Sequence, residues 1–306
     1  MKLEFLLCGS PNDGFFSQMA FFRLCLDRLG GPEAAARLVC VFGDHSVEEI
    51  PARWQPYFEG IEVHWAHAAG ADNPHHVLQH NMRFDLVDPG ADVSFLCDAD
   101  VAVLAPVSQL AQSLIDNPAL AGTIGHYHFP REGLDKDPAR DWPQIARAAL
   151  GRDIPRPYRY TLMPPETPPA APFYINFGVF AGPPEYLAQF HERDLQIRPK
   201  VAAILDDWWA PQVSLSLTCA ELGLPVRALP MRYNYPNDPK ADALYPDEMA
   251  QIALLHYLRP QQFKREQVFA EANVFDAFLK KPLSGSNAIF QRFVADVTGG
   301  RYPFPV

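Results

Sequence analysis

Two aspartates one residue apart end an apolar run of the sequence, Val93-Ser-Phe-Leu-Cys-Asp98-Ala-Asp100. Side chains at positions i and i+2 of an extended strand point to the same side, so this spacing predicts that both carboxylates face one point while Ala99 turns away. Paired carboxylates bind hard divalent cations, and Mg²⁺ or Mn²⁺ held in this way completes its shell with water and a substrate's phosphates. The pattern therefore predicts a site for a metal-bound nucleotide.

A second triplet of the same form, Asp135-Lys-Asp137, lies in a polar segment of the chain. About one or two such triplets arise by chance in a chain with this much Asp, so their context must separate them. No apolar run precedes Asp135, and we expect a solvated loop there. Asp98 and Asp100 follow a strand-like run, and open α/β sheets bind ligands beyond the carboxyl ends of their strands.

The composition is that of a globular protein with an acidic surface. Of the 306 residues 48% are hydrophobic, enough for the packed core of one large or two small α/β domains, and the net charge is -10. Without a Lys/Arg-rich run, this charge excludes general attraction to nucleic acid or to an anionic bilayer, while peripheral membrane contact stays open. Because no run of about 18 apolar residues occurs, we expect no membrane-spanning helix.

The cysteines and the first residues indicate the compartment. The five cysteines are widely spaced, form no Cys-x-x-Cys pair and lie mostly inside apolar runs. We therefore expect buried thiols in a reducing compartment, the cytoplasm. The first apolar segment, residues 3–8, contains Glu4 and is too short for the apolar region of a signal peptide, so it predicts a first strand instead.

Apolar runs alternate with segments of helical periodicity, and this alternation predicts the elements that position the aspartates. Phe15, Met19, Phe22 and Leu26, for example, recur at helical spacing after the first strand. Alternating strands and helices joined by short turns predict a doubly wound, mostly parallel sheet flanked by helices. The predicted strands cover residues 3–8, 38–42, 61–65, 92–97, 120–125, 173–181, 226–229 and 252–255. The predicted helices cover residues 15–29, 74–86, 107–117, 184–196 and 206–221.

A proline-rich segment interrupts this pattern. Seven prolines fall between Pro155 and Pro172, and such a loop inside an α/β domain is typical of a lid or binding loop. Strand-like segments flank it on both sides, which indicates one continuous domain. Helices at about 264–280 and 286–297 are expected to pack on that domain. We thus expect an α/β domain over residues 1–260 and a C-terminal helical extension over residues 261–306.

Five features occur in a fixed order along residues 1–264: the opening strand and loop, Arg83 before the central strand, Asp98-Ala-Asp100, Tyr174-Ile-Asn-Phe-Gly-Val179, and the helix of Gln212 followed by Leu229-Pro and Leu255-His-Tyr257. In this order they resemble nucleotide-sugar glycosyltransferases of the GT-A fold, closest in pattern to the retaining group that includes glycogenin and bacterial lipopolysaccharide galactosyltransferases. The resemblance implies a Rossmann-like, mostly parallel sheet. It also implies sugar transfer from a nucleotide sugar, first among them a UDP-sugar, to a hydroxyl of a glycan, a lipid-linked saccharide or a small molecule.

The resemblance implies a particular metal site. Asp98 and Asp100 would hold Mn²⁺ or Mg²⁺ on the donor diphosphate, with Asp98 also near the ribose and His256 as third ligand. A neutral histidine at a strand end can join two carboxylates around Mn²⁺, and the ion neutralises charge on the departing nucleoside diphosphate. Without the resemblance, His256 would be interpreted as a hydrogen-bonded histidine at the end of a strand.

Other residues would bind the donor by the same resemblance. Arg83 and Lys264 would contact the diphosphate, and a guanidinium suits phosphate because its donors are paired. Arg259 stands where the family has Gly after its C-terminal His, a departure close to Lys264. Turn chemistry alone also explains the composition of the opening loop. Three residues of this loop would meet the uracil and ribose: Gly9, Ser10 and Asn12.

A polar residue within the strand-like run 173–181 is a further candidate. By resemblance, Asn176 would contact the transferred sugar or the acceptor, and Gly178 would let the backbone lie close. The alternative for Asn176 is a polar residue on a half-exposed strand. Asn176 is therefore a predicted catalytic-site residue.

The stereochemistry of transfer stays open. Gln212 matches the glutamine that faces the anomeric carbon in the retaining group, but Pro211 stands where that group often has Asp. A retaining front-face reaction needs a polar group near the oxocarbenium-like centre, which Gln212 would supply. An inverting reaction needs a carboxylate base, and Asp207 or Asp206 would supply it. The match of Gln212 favours retention.

Three other functions compete. A phosphatase of the haloacid dehalogenase type combines Asp-x-Asp with a downstream Lys and an Asp-Asp pair, which Lys200 and Asp206-Asp207 would supply, but in that family the motif ends the first strand. A sugar-nucleotide pyrophosphorylase carries a basic, Gly-rich loop after its first strand, and residues 9–14 contain no basic residue. A non-catalytic module that kept the fold would bind the donor without turning it over.

Overall fold

The strands follow the apolar runs of the sequence. In the computed structural model, which describes residues 1–43, 49–66, 81–129, 137–205 and 209–305, ten strands are present. They are β1 (Leu3–Gly9), β2 (Arg37–Gly43), β3 (Glu62–Ala66), β4 (Val93–Asp98), β5 (Val101–Val103), β6 (Leu120–Ile124), β7 (Ile175–Gly182), β8 (Val226–Ala228), β9 (Tyr235–Pro236) and β10 (Leu254–His256).

Seven of these strands form a central sheet in the order β3-β2-β1-β4-β7-β6-β8. The pairs β1–β2, β2–β3, β1–β4 and β6–β8 are parallel, whereas β7 runs antiparallel to both of its neighbours, β4 and β6. The α/β class and the mostly parallel sheet expected from the sequence are confirmed. Because β7 is reversed, its amino end lies at the same edge as the carboxyl ends of β1 and β4.

Helices enclose this sheet. Successive residues of β1 point to opposite faces, as the pleat requires: Phe5 belongs to one buried cluster with Phe22, and Leu6 belongs to a second with Phe180. The helices are α1 (Asp13–Leu29), α2 (Gly31–Ala34), α3 (described over residues 81–85), α4 (Ser108–Asp116), α5 (Pro138–Leu150), α6 (Pro184–Ala202), α7 (Ala210–Leu222), α8 (Pro239–Leu244), α9 (Pro246–Met249), α10 (Arg265–Val268), α11 (Ala272–Lys280) and α12 (Gly285–Thr298).

A small second sheet, in the order β5-β10-β9, joins the central sheet to the C-terminal helices. β10 pairs antiparallel with β5, which follows β4 after a turn, and parallel with β9. Stacked aromatic rings pack the C-terminal helices against the rest of the domain. The ring centroids of Phe269, which follows α10, and Phe21 of α1 are 4.0 Å apart, and those of Tyr257 and Phe290 of α12 are 4.7 Å apart. The small sheet thereby fixes the end of β10 beside the end of β4.

Several elements differ from the sequence-based expectation. The helix expected over residues 264–280 is two helices, α10 and α11, because Glu271 between them is extended, with φ -130 and ψ 121. The helix α5 was not predicted, and Asp137 caps it by accepting a hydrogen bond from the backbone N–H of Ala139. Asp135 and Lys136, for which a solvated loop was expected, lie outside the described residues. The strands β5 and β9 are too short to show a period. Residues 155–172 contain one isolated bridge, Tyr158 to Ala171, and no helix or strand.

Candidate active site

The two aspartates come together through a turn. Asp98 is the last residue of β4, and Asp100 lies in the turn before β5. The two carboxylates face one point as expected, but Asp100 lies in a turn and not in the strand, because the chain leaves the central sheet after Asp98 so that β5 can pair with β10. The Asp98 side chain is 39% exposed and the Asp100 side chain is 10% exposed. One carboxylate therefore faces solvent and the other is enclosed.

His256, the last residue of β10, lies beside both carboxylates. Its Nε2 atom is 3.2 Å from Oδ1 of Asp100 and 3.7 Å from Oδ2 of Asp98. One ligand atom from each of the three residues can be chosen so that all lie within 4.8 Å of one another. Two strand ends that are 156 residues apart in sequence thus form one cluster of an imidazole and two carboxylates.

Arg265 is a fourth charged member of this cluster, and sequence reasoning missed it. Its Nη1 atom donates to Oδ2 of Asp100, and its Nε atom donates to Glu266 at 2.9 Å. The predicted donor-binding residue Lys264 precedes it as the exposed cap of α10. The basic side chain that contacts Asp100 is thus one position later than the residue singled out from the sequence.

The electrostatics of the cluster couple its members. Burial favours the neutral imidazole of His256, but the carboxylates of Asp100 and Asp98 outweigh it and raise the pKa of His256. Burial would raise the pKa of Asp100, yet the charges of His256 and Arg265 outweigh it and lower that pKa. The carboxylate of Asp98 is only partly buried, and this partial burial raises its pKa, an effect to which the charge of Asp100 adds. Two cationic side chains therefore stabilise the carboxylate of Asp100.

Behind His256 lies a buried amide that the sequence did not single out. Oδ1 of Asn234 is 3.1 Å from Nδ1 of His256, and Nδ2 of Asn234 donates to the carbonyl oxygen of Asn176 at 3.0 Å and to Oδ1 of Asn176 at 3.1 Å. The backbone N–H of Gly178 also donates to Oδ1 of Asn176, at 2.9 Å. The predicted residues Asn176 and His256 are therefore joined through Asn234.

Gly178 is required by this packing. A Cβ atom at position 178 would lie 2.2 Å from Nδ1 of His256 and 2.8 Å from Oδ1 of Asn234. The sequence predicted a close approach of the backbone at this glycine, and the structure shows which groups approach it: the imidazole and the amide behind it. Any larger residue would displace the His256 ring.

Arg83, predicted to contact the diphosphate, is 1% exposed and lies behind the end of β4. Its Nη1 atom donates to the carbonyl oxygen of Cys97 at 2.8 Å, next to Asp98. The structure therefore places a buried guanidinium beneath the aspartates, where its positive charge favours the ionised form of Asp98. Its contact with a diphosphate stays a prediction.

The opening loop lies at the same edge, because Cys8 of β1 is opposite Asp98 of β4. Asn12 caps α1, since its side chain accepts a hydrogen bond from the N–H of Phe15 at 3.2 Å. Ser10 is exposed, and Gly9 packs under the ring of Phe15, which a Cβ atom there would meet at 2.3 Å. Helix capping and packing account for two of the three residues, and their contact with a base or ribose stays a prediction.

Gln212 lies in the first turn of α7 and reaches the reversed strand. Its Nε2 atom donates at 2.6 Å to the carbonyl oxygen of Ile175, the residue before Asn176. The predicted pair Gln212 and Asn176 is thus brought to one place at the amino end of β7. Asp207 and its neighbour Asp206, the predicted alternative bases, lie outside the described residues.

A buried histidine follows β6 close to these groups. Nδ1 of His126 is 2.9 Å from Oγ1 of Thr161, while Nε2 is buried without a hydrogen-bond partner among the described residues. Burial, together with the charges of Arg259 and His256, lowers the pKa of His126 to about 3. A neutral imidazole therefore lies behind the candidate site.

The cluster suits a divalent ion that prefers oxygen and imidazole ligands. Asp98 is half-exposed and has no hydrogen-bond partner among the described residues, so its oxygens have free lone pairs. His256 directs Nε2 at the carboxylates, while Nδ1 faces an amide oxygen, the arrangement found when the second nitrogen of a ligating histidine is held in place. Asp98, Asp100 and His256 would together hold Mn²⁺ or Mg²⁺.

The sheet order, with a reversed strand beside β4 and Asp-x-Asp at the end of β4, defines a class of fold, that of the GT-A glycosyltransferases. Solved structures share it. A complex of the galactosyltransferase LgtC with donor and acceptor sugar analogues is 14% identical, has a TM-score of 0.53, and is matched over 99% of this chain and 97% of that chain. An active-site mutant of LgtC matches with the same identity and coverage and a TM-score of 0.55.

A second glycosyltransferase supports the same conclusion. The apo form of mouse xyloside xylosyltransferase 1 is 12% identical, with a TM-score of 0.50, over 84% of this chain and 98% of that chain. At such identities the likeness establishes the fold, and the GT-A fold expected from the sequence is confirmed. No family model and no curated protein matches the chain. Among the helices that the structure describes, none combines the length and apolarity needed to cross a membrane.

Proposed function

We propose that the protein is a metal-dependent glycosyltransferase that moves a sugar from a nucleotide sugar, first among them a UDP-sugar, to a hydroxyl of a glycan, a lipid-linked saccharide or a small molecule. One observation carries the proposal: in a chain with the fold of glycosyltransferases, Asp98, Asp100 and His256 converge at the carboxyl end of β4. When bound there, Mn²⁺ or Mg²⁺ supplies a positive charge that stabilises the departing nucleoside diphosphate.

The residues of the chain divide the remaining work. Asn176 keeps its amide nitrogen unpaired among the described residues, because its oxygen accepts from Asn234 and Gly178. Two N–H donors are therefore free for hydroxyls of the donor sugar or the acceptor. Arg265, which lies on Asp100, has a guanidinium suited to the diphosphate. Lys264, Arg83 and the opening loop complete the proposed donor site.

Gln212 supports a retaining outcome. Its side chain lies beside Asn176 and is polar and uncharged, so it can stabilise an oxocarbenium-like centre while the leaving phosphate takes the acceptor's proton. An inverting outcome would assign the base to Asp207. The anomeric configuration of the product, followed by proton NMR during turnover, distinguishes the two, since inversion exchanges the α and β signals of the transferred sugar.

Donor binding provides the first test. In a thermal-shift panel of nucleotide sugars with Mn²⁺ or with chelator, we expect UDP-sugars to raise the melting temperature only with metal, because a ligand that binds only the native state stabilises it. A panel with no metal-dependent shift contradicts the proposal. Turnover of a generic aryl phosphate that UDP does not inhibit would instead support the phosphatase alternative, and donor binding without hydrolysis or transfer would support a binding module.

A substitution of Asp100 tests the proposed metal site. Asp100→Asn keeps the size of the side chain and removes its charge, so we expect loss of at least about 100-fold in metal-dependent donor hydrolysis, because a divalent ion contributes several kcal/mol to charge stabilisation. The matched control is Asp116→Asn on the exposed side of α4, which should keep wild-type activity. An Asp100→Asn protein with full activity contradicts the proposed metal site.

The proposal includes the organisation and location of the chain. We assign the catalytic domain to residues 1–260 and a packed extension to residues 261–306, supported by the stacking of Phe269 on Phe21. A cytoplasmic location is supported by the five cysteines, all of them free thiols and four of them buried. Fractionation of cells that express the tagged protein tests the location.

A further inference from the structure

Asn234 is enclosed between two predicted site residues. It lies between the short helix Met231–Tyr233 and β9, and it is 1% exposed. Both ends of its amide are used: Oδ1 contacts Nδ1 of His256, and Nδ2 contacts two oxygens of Asn176. The side chain of Asn234 therefore hydrogen-bonds a candidate metal ligand at one end and a candidate sugar-contacting residue at the other, so it can fix the orientation of both.

The hydrogen-bond pattern fixes which way each group is turned. The two oxygens of Asn176 accept only, so the Asn234 amide must present its nitrogen to them and its oxygen to His256. An oxygen 3.1 Å from Nδ1 requires the proton of His256 to sit on Nδ1. When His256 is neutral, the lone pair is therefore on Nε2, which faces Asp98 and Asp100.

The same contacts turn Asn176. Its Oδ1 atom is occupied by the N–H groups of Asn234 and Gly178, at 3.1 Å and 2.9 Å. The amide nitrogen of Asn176 must then point away from Asn234. One buried side chain thus holds the metal-facing nitrogen of His256 and the free N–H donors of Asn176 in a fixed relation.

We propose that Asn234 is a positioning residue that links the metal site to the sugar-contacting amide: it holds His256 in the tautomer that ligates the ion and holds Asn176 with its donors toward the substrate. This inference rests on the proposed function and adds a residue to it. Removing the partner of a metal-ligating histidine commonly weakens metal binding by about 10- to 100-fold. We expect Asn234→Leu to show that loss.

The experiment measures Mn²⁺ affinity directly, by the disappearance of the free-ion EPR signal on titration with protein and no nucleotide. Asn234→Leu should raise the Kd by about 10- to 100-fold. The matched control is Asn287→Ala, another buried asparagine, which contacts Asn237 at 3.0 Å and not His256; its Kd should equal that of the wild type. Should Asn234→Leu fail to fold, Asn234→Ser serves, because its hydroxyl is too short to reach both partners.

A double-mutant cycle separates positioning from general damage. In a His256→Ala background, Asn234→Leu should leave the Kd for Mn²⁺ unchanged, because the side chain through which it acts is gone. If Asn234→Leu weakens binding equally in both backgrounds, Asn234 does not act through His256 and the inference is overturned. The circular dichroism of each variant confirms that it is folded.

Asn234→Asp separates the two ends of the amide. An aspartate still presents an oxygen to Nδ1 of His256 but cannot donate to Asn176. We expect Mn²⁺ affinity at least equal to that of the wild type, together with a lower kcat for donor hydrolysis. Full kcat in Asn234→Asp overturns the assignment of the Asn176 end. If the wild type itself binds no Mn²⁺, with or without UDP, the proposed function fails; if it binds and Asn234→Leu binds equally, only this inference fails.

Discussion

Two clusters in this molecule each place aspartate beside basic side chains, and they differ in how many of the carboxylate oxygens accept hydrogen bonds. Asp194 of α6 lies between α6 and α7 and accepts four hydrogen bonds, two from Arg198 and one each from Ser214 and Thr218. Its side chain is 1% exposed and that of Arg198 is 8% exposed. Every lone pair that a ligand would need is already occupied.

The cluster at the end of β4 is unsaturated. Asp98 has no hydrogen-bond partner among the described residues, and the nearest basic atom, Nε2 of His256, is 3.7 Å from it. Asp100 is hydrogen-bonded to His256 and to Arg265. Burial and charge alone therefore do not distinguish a proposed binding site from a structural ion pair, and the difference lies in the carboxylate oxygens that keep free lone pairs at the carboxyl end of a strand.

The largest expected effects are opposite in the two clusters: a substitution at Asp194 should lower stability, and a substitution at Asp98 should lower the affinity for Mn²⁺. Asp194→Ala leaves Arg198 buried without its partner and should lower the free energy of unfolding by about 3–5 kcal/mol. Asp98→Asn removes a partly exposed charge whose nearest basic atom is 3.7 Å away, so we expect little change in unfolding by urea. We expect the Kd for Mn²⁺ to rise by at least about 100-fold, because the affinity of a hard cation depends on the number of charged ligands.

Two outcomes would contradict this difference between the clusters. A stable Asp194→Ala protein would mean that its saturated hydrogen bonds contribute little, and tight Mn²⁺ binding by Asp98→Asn would mean that the unsaturated oxygens are not ligands. Provided that Asp194→Ala stays folded at the temperature of measurement, its Mn²⁺ affinity should equal that of the wild type.

The next effect, of intermediate size, is the pH dependence of stability that His126 should cause. One ring nitrogen of His126 is hydrogen-bonded, and the other has no hydrogen-bond partner among the described residues. Its pKa in the folded protein is about 3, below the usual 6.5. Below pH 6.5 the imidazole is therefore protonated in the unfolded chain while it stays neutral in the folded protein. Stability should therefore fall as the pH drops from 6.5 towards 3, and at pH 5 the loss from this group is about 2 kcal/mol.

The measurement for this prediction is urea unfolding at pH 7 and pH 5. His126→Gln keeps a polar side chain that does not titrate, so its free energy of unfolding should lose about 2 kcal/mol less than that of the wild type between the two values. The charged groups that face His126 are Arg259, His256 and Asp238. Equal pH dependence in the two proteins contradicts the buried neutral imidazole.

The smallest expected effect concerns Arg265, which contacts one of the two aspartates of the proposed metal site. Arg265 lies on Asp100 where a cation would also lie, so Arg265→Gln should tighten the binding of Mn²⁺ alone by up to about tenfold, roughly 1.4 kcal/mol. It should also raise KM for the nucleotide sugar, because the diphosphate loses a guanidinium. Lys264→Gln, one residue earlier and exposed, is the control for loss of charge. Weaker Mn²⁺ binding in Arg265→Gln would show that the guanidinium does not compete with the ion.

The sequence predicted the main architecture because apolar runs and helical spacing report which residues are buried. The α/β class, the strand that ends at Asp98 and the strand that ends at His256 followed from such runs. The position of Asp100 did not, because β5 has three residues and its pairing with β10 depends on contacts far apart in sequence. A period cannot be read from so short a strand.

The residues that the sequence missed share one property: their roles depend on tertiary contacts alone. Asn234 lies in an irregular segment, and Arg265 lies in a helix of four residues. Neither belongs to a spacing that a metal or phosphate requires, so only the placement of β9 and β10 beside β4 reveals them. The capping role of Asn12 was not predicted either, although asparagine is a common residue at the start of a helix.

The distance of His256 from Asp100 along the chain, 156 residues, has a consequence for biosynthesis. The ribosome synthesises both aspartates long before β10, so Asp98 and Asp100 lack the neighbouring charges of His256 and Arg265 until most of the chain has been made. The three groups of the proposed metal site can come together only after that point, so a product terminated before β10 would lack one of its three proposed ligands.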